Sequence, residues 1–139
     1  MPKVSKMEFS TGKGSRKEAR ASVWLYDKGK SPVAGILVNG KESGVYFSDF
    51  KELADKALRP FQVTNLTGKY HASVKVYGGG RHSQLEAVSQ AIAKALVKKD
   101  ESLKPILRKE GLLTRDDRMV ESKRWGRHKS RRKQQFSKR

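Results

Sequence analysis

The last 26 residues of this 139-residue chain, TRDDRMVESKRWGRHKSRRKQQFSKR, cannot build a core of their own. Their apolar side chains, Met119, Val120, Trp125 and Phe136, follow no helical or strand period. They carry 11 basic against 3 acidic residues, net +8, and no acid from Ser122 onward. A segment with little to bury and so much like charge gains order only against a polyanion.

Residues 1–113 hold 21 basic and 11 acidic residues, net +10, so the whole chain reaches +18. Nucleic acid and an anionic membrane surface are the two polyanions that such a chain meets. No run of about 18 apolar residues occurs, and no basic n-region precedes an apolar h-region. The expected partner is therefore nucleic acid and no membrane. Cysteine is absent, which removes disulfides and thiolate zinc sites. His71, His82 and His128 lack metal-ligand spacing, so no metal and no cofactor are expected.

The length suggests one domain, and the pattern predicts an α+β body with an antiparallel-rich sheet and helices on one face. Residues 1–14 are read as a flexible N-terminal segment, 15–113 as the globular body and 114–139 as an extended basic tail. In residues 20–27, Ala21, Val23 and Leu25 alternate with Ser22, Trp24 and Tyr26, as in a strand. A turn follows through Pro32. Residues 36–38 form a short strand before the tight-turn pair Asn39-Gly40. Phe47, Phe50, Leu53, Ala54 and Ala57 recur at helical spacing behind Ser48, a residue suited to an N-cap, and Pro60 is expected to stop that helix. Residues 61–65 are then read as a strand, and residues 70–77 as the clearest one. Leu85, Val88, Ala91, Ile92, Ala95 and Leu96 predict a long helix over 83–98, and a short helix over 102–110 ends at Gly111.

The candidate chemistry is that of phosphate and base recognition. Arg115, Arg118, Lys123, Arg124, Arg127, Lys129, Arg131, Arg132, Lys133, Lys138 and Arg139 are interleaved with Trp125, His128 and Phe136. Arginine forks onto phosphate and stacks on bases, and aromatic rings stack on unpaired bases. If about eight of these cations each met a phosphate, the log–log salt slope would be about −6 to −7. The Gly78–Gly80 turn with Arg81 allows two readings, a phosphate held at a helix N-terminus or a turn that needs positive φ. GKGSRK over 12–17, with Arg16 and Lys17, lacks P-loop spacing and reads as a basic, glycine-flexed loop that meets phosphate. No catalytic residue is expected. The histidines have bland settings, and Asp116-Asp117 between Arg115 and Arg118 reads as local charge balance.

The ending from Leu112 closely resembles the C-terminus of the universal ninth protein family of the small ribosomal subunit, in its bacterial and organellar form. The matching positions are Leu113 to Asp116, Arg118 to Glu121, Lys123, Gly126, Lys129, Arg131, Arg132 and Gln135 to Arg139. Upstream, Arg16, Lys17, Ala19, Ala21 and Val23 resemble the family's opening basic strand. Asn39-Gly40, Gly78 to Gly80, Gln84 and the helix containing Ile92, Ala93, Ala95 and Leu96 match as well. Ser15, Ser83, Ser122, Trp125 and Ser130 depart from the family's usual residues.

The resemblance implies a body like the second domain of ribosomal protein five of the small subunit, a sandwich of about four strands and helices with a left-handed crossover. It implies a structural, non-enzymatic role in the head of the subunit, on the 3′-major domain of its rRNA and beside neighbouring head proteins. Residues Arg16, Lys17, Arg81 and Arg115 to Lys133 would lie on rRNA. Arg139, supported by Lys138 and Ser137, would reach the anticodon stem-loop of P-site tRNA. The expected setting is a bacterial cytoplasmic ribosome, with an organellar ribosome as the alternative.

Overall fold

The computed structural model describes residues 9–28, 35–48 and 51–138, the side chains of 51–54 excepted. The strands are β1 (Ser10–Arg16), β2 (Ala19–Asp27), β3 (Ile36–Val38), β4 (Lys41–Glu42) and β5 (Tyr70–Tyr77). The helices are α1 (Ser43–Tyr46), α2 (Lys51–Val63), α3 (Arg81–Lys99) and α4 (Lys104–Lys109). The strands form one five-stranded sheet in the order β1-β2-β5-β3-β4. Every neighbouring pair is antiparallel except β3 with β5, whose parallel pairing is bridged by the crossover through α1 and α2.

Alternation explains β2 and β5. Ala19, Ala21, Val23 and Leu25 on β2, and Ala72, Val74 and Val76 on β5, are buried and lie in register on one face. That face receives α3, whose Leu85, Val88, Ala91, Ile92, Ala95 and Leu96 complete the core. α2 covers α3 from the other side with Ala57 and Phe61, which is why the middle of α3 is buried nearly all round. The other face of the sheet is left uncovered by any helix among the described residues.

Two expectations are corrected. Residues 10–14 belong to strand β1, not to a flexible segment. The reason is a close approach that a glycine-rich sequence hides. A Cβ on Gly12 would overlap the Ala91 carbonyl, and one on Gly14 the Ala87 carbonyl, so the strand packs backbone to backbone on α3. Ser10 donates its hydroxyl to the Ala95 carbonyl at 2.7 Å, and the Ser15 amide donates to Gln90 Oε1 at 3.0 Å.

The second correction concerns residues 61–65, read as a strand after Pro60. Residues 61–63 instead finish α2, and Pro60 lies inside it. Proline removes one helical hydrogen bond at a cost of about 3 kcal/mol. Burial of Pro60 and Phe61 offsets this, and the Thr64 hydroxyl returns to the Pro60 carbonyl at 2.8 Å.

The Asn39-Gly40 turn is present, with φ of 51° and 80°, and joins β3 to β4. Asn39 also extends the β3–β5 ladder through its side chain. Its Oδ1 accepts from the Val76 amide at 2.9 Å, and its Nδ2 donates to the Val76 carbonyl at 2.9 Å. The short helix ends as expected, with Gly111 at φ 71°. The turn through Pro32 and residue Phe50 lie outside the described residues, as do the side chains of Leu53 and Ala54.

Gly12→Ala and Gly14→Ala should each destabilise the body by about 1–3 kcal/mol, because α3 must move off the sheet. Gly44→Ala, where a Cβ meets nothing within 4 Å, should stay within about 0.5 kcal/mol. Urea unfolding of the three variants is the check.

Candidate nucleic-acid interface

The C-terminal segment leaves the body beside β1 and α3. Gln90, buried on α3, donates to the Leu113 carbonyl at 3.4 Å while accepting from Ser15. Arg16 then makes the joint. Its Nε donates to Glu86 on α3 at 2.6 Å, and its Nη1 donates to the Arg118 and Asp116 carbonyls at 2.9 and 3.3 Å. Its Nη2 faces the Asp116 carboxylate at 3.1 Å, and only 14% of its side chain is exposed. Arg16 was expected on rRNA; in this structure its guanidinium joins β1, α3 and residues 116–118, with little surface left over.

Asp116 is bound from two sides. Arg118 donates to it through Nε and Nη2, the latter at 2.7 Å, and through its backbone amide at 3.0 Å. These hydrogen bonds, with the charges of Arg118 and Arg16, hold the Asp116 carboxyl well below the usual carboxylate range. Asp116 therefore fills the charge-balancing role expected of it. Further on, Arg131 grips Glu121 with two hydrogen bonds of 2.6 and 3.0 Å, which lowers the Glu121 pKa and raises that of Arg131. Both pairs lie at the surface, where such contacts contribute little net stability.

Beyond Leu113 the described residues contain no helix or strand, only one antiparallel bridge between Arg127 and Lys133. Gly126, at φ 74°, allows the turn that sets it up, and the His128 amide donates to the Arg132 carbonyl at 3.0 Å. The side chains of Lys123, Arg124, Arg127, Lys129, Arg132, Lys133 and Lys138 have no hydrogen bond or ion pair among the described residues. Trp125 and Phe136 are fully exposed, at 101% and 104% of their reference areas. Arg115 and Lys17 are exposed and unpaired, Ser137 offers only its carbonyl, to Gln135 at 2.9 Å, and Arg139 lies outside the described residues.

The glycine turn has a packing role. Gly78 and Gly79 have φ of 74° and 61°, and a Cβ on Gly78 would lie 2.6 Å from the Glu18 carbonyl of the β1–β2 hairpin. Gln84 donates to the Gly78 carbonyl at 3.1 Å and accepts from the Tyr46 hydroxyl at 3.1 Å. Arg81 points to Tyr46, bonding its carbonyl at 2.8 Å with the guanidinium 4.5 Å from the ring centroid. Among the described residues, no group of three or more His, Asp or Glu side chains is arranged to hold a metal ion. No described helix is long and apolar enough to cross a membrane.

A packed α+β body whose basic extension keeps most of its described cations unpaired and its aromatic rings bare has the make-up of an RNA-associated structural protein. Residues 14–139 match the family described as ribosomal protein S9/S16, and the chain belongs to that family. Its members are structural proteins of the ribosome, not enzymes. The small ribosomal subunit protein uS9 of Thermotoga neapolitana is 46% identical over 131 residues, covering 92% of this chain and 94% of its own. Those of Borreliella burgdorferi and Borreliella afzelii are 42% and 41% identical over 135 residues, covering 97% of this chain and 96% of their own.

Because its folded pKa is depressed, the Asp116 interaction is fully present above the ordinary carboxylate value and is lost only as pH falls through the lowered one. Carboxyl carbon NMR should find Asp116 still ionised at pH 3.8, the ordinary value. A midpoint at or above 3.8 would mean that the joint to Arg118 and Arg16 does not form in solution.

Proposed function

We propose that the chain is a structural component of the small ribosomal subunit that binds small-subunit rRNA in the head, within the 3′-major domain. One observation carries this reading. Among the described residues, seven cations of residues 123–138 are unpaired and all of them but Arg127 exposed, beside the bare rings of Trp125 and Phe136. Leaving so many like charges together is unfavourable in the free chain and favourable against phosphate, where counterions are released. The relatives, named as small ribosomal subunit proteins, support the small-subunit part of this reading.

In this reading the C-terminal segment is an extended tail that becomes ordered on rRNA. Lys123, Arg124, Arg127, Lys129, Arg132 and Lys133 meet phosphates directly, with Arg115 and Lys17 at the tail's base. Arg118 and Arg131 exchange their carboxylate partners for phosphate. Arg16 acts from within the protein, by setting the direction in which the tail leaves. Arg81 and Gly78 to Gly80 contribute by shaping the body on which the tail is mounted. Ser137, Lys138 and Arg139 approach the anticodon stem-loop of P-site tRNA. The body is a sandwich like the second domain of ribosomal protein five, with a left-handed crossover between β3 and β5. Neighbouring head proteins are its other partners, and the bacterial relatives favour a cytoplasmic ribosome.

Sedimentation of native extract should carry the chain with small subunits; a chain found only in light RNA complexes would be a free-standing RNA-binding protein. Removing Ser137 to Arg139 should weaken P-site tRNA binding in low-salt filter assays and leave subunit assembly intact. Unchanged tRNA binding would remove the tRNA contact.

Glu121→Gln, which frees Arg131, should bind a transcript of the 3′-major domain more tightly at low salt. Its log–log salt slope should steepen by about 0.7–0.9. A slope no steeper than that of the unaltered chain would mean that Glu121 does not compete with phosphate for Arg131.

A further inference from the structure

We propose that a second RNA-binding site lies in a groove where the β1–β2 hairpin meets the base of the C-terminal segment. It rests on the small-subunit reading above and adds a contact surface on the body. Lys13, Lys17, Arg20, Lys94 and Arg115 line the groove together with Tyr77. These residues come from β1, the hairpin turn, β2, α3, the segment after α4 and β5, so only the fold brings them together.

Strand register places the site. Gly12 and Gly14 face α3, so Lys13 between them faces outward, opposite Ser22. Arg20 lies across from Ser15 on one side and Tyr77 on the other. Tyr77 is 60% exposed at the end of β5, on the sheet face that no described helix covers. None of the five cations has a hydrogen bond or ion pair among the described residues. Glu18 is the one acid in the wall.

The chemistry selects RNA over other occupants. The groove encloses about 820 Å³, within the size range of small-ligand sites, but those are lined mainly by apolar side chains. Here the walls are unpaired ammonium and guanidinium groups. Phosphates satisfy them, an exposed tyrosine ring stacks on an unpaired base, and the Ser15 and Ser22 hydroxyls suit ribose. Arg115 is also the first cation of the C-terminal segment, so the groove adjoins the base of the tail.

The test uses the full-length chain and a transcript of the small-subunit 3′-major domain. The triple variant Lys13→Gln, Arg20→Gln, Lys94→Gln alters exposed side chains and should keep the parent circular dichroism and melting temperature. Its log–log salt slope should be shallower by about 2–3. Tyr77→Ala should bind roughly 5- to 150-fold more weakly with an unchanged slope, the mark of lost stacking. A folded triple variant with the parent slope and affinity overturns the groove and leaves the small-subunit reading standing. An unaltered chain that does not bind the transcript overturns both. Ultraviolet irradiation of assembled small subunits gives an independent readout. A crosslink from the Tyr77 peptide to a nucleotide supports the site, and one to an acidic segment of a neighbouring protein overturns it.

Discussion

The contact between β1 and α3 is the one on which the other features rest. Two backbones lie against each other because Gly12 and Gly14 present no side chain to the Ala91 and Ala87 carbonyls. Close packing of this kind tolerates no added methyl group, and it fixes the height of β1 over the helix. Once β1 is placed, Ser15 reaches Gln90, and Gln90 reaches Leu113. Arg16, one residue further, is then held between Glu86 and the start of the C-terminal segment. The direction in which the basic segment leaves the body is therefore set by a glycine contact on the same face of that strand.

Charge is sorted by the fold into two kinds. Arg16, Arg59, Lys99, Arg118 and Arg131 have carboxylate partners. Lys99 meets Asp27, and its ammonium lies 4.8 Å from the Tyr70 ring centroid, tying the end of α3 to the sheet. The unpaired group gathers in residues 123–138 and around the β1–β2 hairpin. In this chain of net +18, Asp27, Glu86 and Asp116 sit at joints, while the surplus cations stay in water, where their mutual repulsion is screened over about 8–10 Å.

Much of the body was legible in local pattern. β2, β5 and α3 are long and strongly periodic; burial follows the period residue by residue in the two strands, while α3 is buried well beyond its apolar stripe. Asn39-Gly40 and Gly111 act through their own backbone torsions, which need no distant partner. The misreadings share a cause. Ser10 to Arg16 has almost no side chain to bury, so its strand gives no hydrophobic signal, and Pro60 is an unfavourable helical residue rescued by tertiary burial. The parallel pairing of β3 with β5 is a relation between distant segments that no local window contains.

The sequence by itself determined that this chain meets a polyanion, that its final 26 residues cannot bury a core, and that a long apolar-striped helix lies against an alternating sheet. Composition and period are properties of neighbours along the chain, so they survive without coordinates. Only the tertiary structure decided which cations are free. Arg16 and Lys17 stand side by side in one basic run, yet the first is bound to residues 70 to 102 positions away and the second is exposed and unpaired. An ion pair depends on distance in space, and folding sets that distance.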